Sequence, residues 1–385
     1  MSGTTQKPEL SLGIDEFTLV LQYHESKVDF MDWQEKVDEM IEEFIRLAKV
    51  ETILGELVPM YEKRPAGYTH AIKVDNVPYY FAIAWHEDFV RSGVCIKLSA
   101  YALATYMSEY EKRYNVRITA ADFLKMIQSN VYSTRLSRID MTADYKNYGR
   151  DLAPNTIYRS LKDNDYIIVN PELKRRRLKL SALEKDGAVQ TFYAGARNEN
   201  TRSFLRCYDK KNEQMEKHGF RMDEAENCSS WTRFEVSFRN KYAHQITESL
   251  LKEVNSQLEM QQFIAGKIAE KFLFFDIASD DLTAFSNDLL GVIGNKQFPY
   301  LRDESPRNNE LRRSIRNLIC GSGLFSTLYK VSQIWGQDAE KELLKYLYEV
   351  YQNQYKPNAV NDKELKIWLK KNRESLKKEQ LQDSF

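Results

Sequence analysis

A chain of 385 residues exceeds one usual domain, and at about 100 to 200 residues per domain two are expected. With 56 basic against 56 acidic residues the formal net charge is zero, so a nucleic-acid partner has to be argued from local segregation of charge and not from its sum. Four scattered cysteines (Cys95, Cys207, Cys228, Cys320) give neither a disulfide framework nor a paired Cys-x-x-Cys zinc spacing, MSGTTQKPEL lacks the apolar stretch of a signal peptide, and no run of about 18 apolar residues occurs; together these predict a soluble cytoplasmic protein without a membrane span.

Taken in order, Leu12 to Leu21 reads as a first strand, with Asp15 as a turn or edge residue. From Asp29 to Val50, Trp33, Val37, Met40, Ile41, Phe44 and Ile45 keep helical spacing and acids cover the other side, so this helix should face away from any polyanion. His70 to Val74 and Tyr79 to Trp85 form a hairpin around Asp75-Asn76, and Gly93 to Leu98 adds a strand. Helices are predicted from Ala100 to Tyr114 and from a Thr119 cap to Gln128. In SRIDMTADY, Arg138, Asp140, Thr142 and Asp144 fall on one strand face and Ile139, Met141, Ala143 and Tyr145 on the other, so one face packs and the other carries charge. A short helix (Thr156 to Lys162) and a strand (Tyr166 to Val169) lead to the basic run Lys174, Arg175, Arg176, Arg177 and Lys179.

After the Asp186-Gly187 turn, Val189 to Ala194 and Ser203 to Tyr208 read as a hairpin across Asn198, Glu199 and Asn200. Arg202, Phe204, Arg206 and Tyr208 share one face of its second strand, and the polar run from Asp209 suits a helix. Tyr208 is thereby expected at an exposed strand-to-helix junction, with Cys207 in the opposite, buried phase. Residues 217–230 read as a polar loop. Thr232 to Arg239 closes the sheet, with Arg233, Glu235, Ser237 and Arg239 on one face and Phe234, Val236 and Phe238 on the other.

From Ala243 onward the pattern turns helical: Ile246 to Ile268, Leu282 to Val292, Asn308 to Ile319, Leu324 to Tyr351 and Asp362 to Lys378. A boundary near residue 245 is expected, separating an α+β domain (1–245) with an antiparallel-rich central sheet from a mostly helical region (246–385). Arg307, Arg312, Arg313 and Arg316 make one basic cluster there. KELKIWLKKNRESLKK makes another, with Leu365, Trp368, Leu369 and Leu376 near one face. Binding of duplex DNA, dimerisation and partner recruitment all remain open for this region.

Two strands thus carry the same grammar, an apolar face opposite an Arg-x-acid pair, and neighbouring placement in the sheet would converge Asp140 and Glu235. Hard oxygen ligands with open positions suit Mg²⁺ or Mn²⁺; the alternative is that both carboxylates only pair with Arg138 and Arg233. Asp144 is a weaker ligand candidate, since it falls roughly 13 Å along the strand from Asp140 at about 3.3 Å per residue. His24, His70, His86, His218 and His244 are scattered and form no metal-binding pair.

Tyr-Ala-Gly ahead of an Arg-rich strand, followed by R-C-Y-D-K-K-N-E, resembles the rolling-circle replication initiators of small Gram-positive plasmids and the related relaxases of integrative conjugative elements. The resemblance extends to SLGIDEFTLVL, SRIDMTAD and TRFEVSFR, covering roughly residues 11 to 245. It implies a relaxase-like nuclease fold without the paired-histidine motif, and an enzyme that nicks one DNA strand and becomes joined to its 5′ end through the residue matching Tyr208. Such a phosphodiester exchange needs positioning and charge neutralisation but no ATP and no Gly-rich phosphate loop. A phenol with a free pKa of about 10 also calls for nearby cations, for which Arg206, Lys210 and Lys211 are the candidates. Glu213 accepts a proton or orients Lys210, or is simply a solvated helix acid. Arg138, Arg197, Arg202, Arg233, Arg175 and Arg176 are the expected DNA contacts, interleaved with aromatics as single-strand grooves are. The expected partner is a single-stranded nick site within a duplex origin, with a second copy or a helicase as further candidates. A conjugative relaxase with the same chemistry and a non-catalytic origin-binding protein are the alternatives.

Overall fold

The computed structural model describes residues 6–24, 32–198, 201–301, 315, 318, 323–359 and 362–376. Its strands are β1 (Glu9–Tyr23), β2 (Leu57–Pro59), β3 (His70–Val74), β4 (Phe81–Trp85), β5 (Val94–Ser99), β6 (Tyr132–Lys146), β7 (Tyr166–Val169), β8 (Leu180–Lys185), β9 (Ala188–Ala194), β10 (Ser203–Asp209), β11 (Trp231–Arg239), β12 (Leu273–Asp276) and β13 (Asp281–Leu282). Ten of them form one sheet in the order β2-β3-β4-β5-β1-β6-β11-β10-β9-β8, antiparallel throughout. The fold is α+β with a large antiparallel sheet, as the strand patterns predict.

One face of this sheet is the core wall. Phe17, Leu19 and Leu21 of β1, Ile139, Met141 and Ala143 of β6, Leu205 and Cys207 of β10, and Val236 and Phe238 of β11 are buried there. Helices α1 (Trp33–Ala48), α2 (Val50–Leu54), α3 (Ala100–Tyr114), α4 (Ala120–Met126) and α5 (Pro154–Asp163) contribute to the same core. The acids of α1 face outward, and α4 begins where Thr119 and Asp122 cap each other's backbone N–H. The opposite face carries Asp140, Thr142 and Asp144 of β6 and Arg233, Glu235 and Ser237 of β11, all of them buried. Over its β11 end lie α6 (Lys210–Lys217), where the polar run from Asp209 predicts a helix, and α7 (Met222–Glu226), where a loop was expected; Met215, Ala225 and Cys228 pack there on Trp231.

The compact unit does not end near residue 245 but runs to Leu301. Helix α8 (Lys241–Glu253) buries Tyr242, Ala243, Ile246 and Leu250, and its Thr247 hydroxyl accepts the Leu136 N–H of β6 at 2.8 Å. The predicted helix from Ile246 to Ile268 breaks at Asn255. Ser256 then caps α9 (Gln257–Lys271), which buries Phe263, Ile264 and Ile268. Strand β12 pairs with β7 in a second sheet, β13-β12-β7, and α10 (Ala284–Ile293) buries Phe285 and Leu289. Helical periodicity looks the same whether a helix covers its own sheet or founds a new domain, so the boundary was not readable from it.

Residues 302–385 form the second unit. Its described helices span Leu324–Trp335, Gln337–Val350 and Lys363–Leu376. The expected single helix from Leu324 to Tyr351 is interrupted at Gly336, whose φ of 89° belongs to a glycine. The cluster Arg307, Arg312, Arg313 and Arg316 lies outside the described residues. Among the described residues no helix is long and apolar enough to cross a membrane. Cys95, Cys207 and Cys228 are free and buried.

Candidate active site

Three adjacent strands build the site on the polar face. Pairing of β10 with β11 sets Tyr208 opposite Arg233 and Arg206 opposite Glu235. Pairing of β11 with β6 sets Arg233 opposite Asp144, Glu235 opposite Thr142 and Ser237 opposite Asp140. The charged residues therefore form rows across the sheet, Tyr208–Arg233–Asp144 beside Arg206–Glu235–Thr142, with Asp140 one pleat diagonal from Glu235. A fourth strand intrudes through a bulge. In β1 the register slips between Ile14 and Glu16, and the extra residue, Asp15, reaches across to accept a hydrogen bond from Arg233 Nη1.

Tyr208 stands at the strand-to-helix junction, but it is not exposed. It is 3% accessible, because α6 folds back over it with Lys210 and Gln214 buried. Its hydroxyl donates to Glu235 Oε2 at 3.2 Å, the Arg206 guanidinium stacks 4.1 Å from its ring centre, and Lys210 Nζ lies 5.6 Å away. Burial pushes its phenol well above the ordinary range; Arg233 and Arg206 pull it back, while Glu235 and Asp15 add to the rise. Burial, then Asp15 and Asp140, push Glu235 up to about 7. Asp140 is raised for the same first reason, burial, against two hydrogen bonds from Arg138. Arg138 also reaches Glu16 at 3.0 Å, and Glu16 in turn meets Lys97 at 3.2 Å.

The other expected residues sort differently. Asp144 is closed off: Arg233 Nε and Nη2 donate to it at 2.6 and 2.8 Å and Arg221 Nη1 at 3.0 Å. Although burial alone would raise it, these cations hold its carboxyl down at about 2. It anchors Arg233 instead of offering itself as a ligand. Glu213 bonds Lys210 at 2.7 Å, so of its two readings the orienting one matches the geometry. Lys211 points away, donating to the Cys228 carbonyl at 2.6 Å. Arg197 stacks on Tyr193 at 3.9 Å and Arg202 lies 6.0 Å over Tyr242. Arg175 bonds Asn164 and Arg176 bonds the Lys271 carbonyl, both beside the small sheet and apart from Tyr208.

Sequence reasoning gave Asp15 only a turn or edge role. Nothing local marks it, because its direction depends on a bulge defined by pairing with β6. Among the described residues no three His, Cys, Asp or Glu side chains converge closely enough to enclose a metal ion.

Asp144→Ala should cost about 3–5 kcal/mol, because it leaves the buried Arg233 guanidinium with Asp15 as its remaining partner. The shift in urea midpoint at constant slope measures this, and an unchanged midpoint would rule out the anchoring role.

A family model described as replication initiation factor matches residues 134–288, a span from β6 to α10 that holds Asp140, Tyr208 and Glu235. No curated protein matches the chain. Among solved structures, the chain is similar to a rolling circle replication initiator protein from Geobacillus stearothermophilus, with 16% identity and a TM-score of 0.47 over 75% of this chain and 100% of that one. Over residues 134–288, then, the chain is similar to the replication initiation factor family.

Proposed function

We propose that this chain initiates rolling-circle replication as a DNA-nicking and strand-joining enzyme in which Tyr208 is the nucleophile. The observation that carries the reading is the buried pair in which the Tyr208 hydroxyl donates to Glu235 while Arg206 and Arg233 flank the ring. A phenol without a base is a poor nucleophile at neutral pH, and Glu235, pushed up to about 7, is a stronger base than an ordinary carboxylate and is placed to accept the proton as the oxygen attacks. The phenolic proton passes to Glu235 as the oxygen attacks phosphorus, the phosphorus–O3′ bond breaks, the 3′ oxygen leaves and takes one proton back from Glu235 or from water, and the 5′ phosphate stays on Tyr208. A phosphodiester persists, so the step runs backwards to rejoin a strand.

Charge neutralisation comes from the cations around the ring. Arg206 Nε is buried and makes no hydrogen bond among the described residues, leaving a donor for a non-bridging phosphate oxygen. Lys210, whose ammonium burial lowers, is oriented by Glu213 toward the same place. The donor set fits Mg²⁺ or Mn²⁺ in kind, being hard carboxylate oxygens whose mutual repulsion a dication relieves. Asp140 and Glu235 would hold the ion as a pair of oxygen ligands with its remaining positions open, and it would supply charge neutralisation at the phosphate.

The test is to incubate the full chain with single-stranded DNA from a candidate origin, in Mn²⁺ or in EDTA, and to look for a covalent protein–DNA adduct on a denaturing gel. An adduct is expected in Mn²⁺, with EDTA lowering its yield severely. Undiminished cutting in EDTA would remove the ion from the scheme, and origin binding without any adduct would favour the non-catalytic alternative.

A further inference from the structure

Two aromatic rings lie face to face at the surface. Tyr101, in the first turn of α3, and Phe220, in the connection between α6 and α7, stack with centroids 4.5 Å apart and planes 6° from parallel. The Tyr79 ring meets Tyr101 edge-on at 5.6 Å. Neither ring of the stack belongs to the core, and Phe220 remains 44% exposed.

The stack is tied to the site on both sides. On one side α6 ends at His218, in a left-handed conformation with φ 46°, and Gly219 follows where a Cβ would fall 2.3 Å from Gln214 Oε1. That same oxygen accepts the Arg221 N–H at 3.0 Å, and the Arg221 side chain donates to Asp144 at 3.0 Å. Phe220 thus sits between Gly219 and an arginine bound to the Asp144–Arg233 pair, whose Arg233 lies opposite Tyr208. On the other side, Ser99 caps α3 and pairs with Glu16, the residue after Asp15, and Asp15 binds Arg233. What sets this ring apart from other exposed apolar side chains is its parallel stacking on a second ring outside the core.

We infer that the Tyr101–Phe220 stack is a base-binding site, which takes an unpaired nucleobase of the DNA strand whose phosphate lies at Tyr208. A base offers a flat π-face of the same kind as either ring and adds to the stack without needing a sequence-specific hydrogen bond. Holding one base of the strand that passes through the site would restrict a flexible chain and so favour the geometry of attack. This inference rests on the reading of the chain as a single-strand nicking enzyme, yet it concerns binding and not chemistry.

The experiment measures affinity of the full chain, in EDTA so that cutting does not intervene, for oligothymidylate and for an abasic phosphodiester strand of equal length. The parent protein should prefer the strand with bases. Phe220→Leu and, independently, Tyr101→Leu should each reduce that preference by about five- to a hundredfold while leaving abasic binding unchanged, and Phe220→Tyr should retain it. A preference unchanged in both leucine variants, or an equal loss for both strands, overturns the inference. The adduct assay judges the nicking reading separately: a chain that shows Phe220-dependent base preference but forms no adduct keeps the base site and loses the chemistry.

Discussion

Tyr208→Phe is expected to abolish strand cutting and adduct formation while leaving DNA affinity close to that of the parent. The substitution removes the attacking oxygen and nothing else: the ring stays, and with it the Arg206 guanidinium stacked at 4.1 Å and Arg233 opposite in the register. Glu235 loses one hydrogen bond, but its nearest cation, Arg206 Nη1 at 3.6 Å, remains. The gel assay for the adduct and a binding isotherm on the same DNA read the two properties apart. An adduct that persists in this variant would transfer the nucleophile to another tyrosine, with Tyr193 on the neighbouring strand the next to replace.

Glu235→Gln should separate activity from stability in opposite directions. Cutting should fall by about 10²- to 10⁴-fold, since the amide still accepts the Tyr208 hydrogen bond but cannot take the proton. In the parent the cutting rate should climb through the range in which Glu235 ionises, and that climb should vanish in the variant. Stability follows from the sign of the shift. Glu235 rises from 4.5 to about 7 on folding, so the folded chain binds the extra proton in that window, and Glu235 costs stability as pH climbs through it. The variant should therefore gain about 1–3 kcal/mol over the parent above that window and nothing below it, read from urea unfolding at the two extremes. No gain at high pH would mean that the folded protein does not resist ionisation of this carboxylate. Asp144 acts with the opposite sign: held at about 2 against 3.8, it contributes stability above the latter value and loses it as pH falls to the former.

The sequence by itself determined which residues face which way. In SRIDMTADY, FLRCYD and TRFEVSFR the alternation has period two, a property of each strand's own backbone, so the apolar faces of β6, β10 and β11 and the polar face bearing Asp140, Arg206, Tyr208 and Glu235 were legible without a fold. The Thr119 cap and the bounds of α3 were legible for the same reason, since capping and helical periodicity are local. Tertiary structure decided everything that depends on who sits opposite whom. Whether Asp144 is a ligand or an anchor turns on its meeting Arg233 across the β6–β11 pair and Arg221 from the α6–α7 connection. Asp15 joins the site through a bulge in β1, a feature of the ladder and not of the residue. Tyr208 has a strand-end position in either view, yet its burial comes from α6 turning back over the sheet, and that burial shifts both the phenol and Glu235. The boundary near 245 failed on the same ground, because Leu136, Ile139 and Met141 of β6 leave an apolar face that helices α8 and α9 cover, and only long-range packing tells which helices those are.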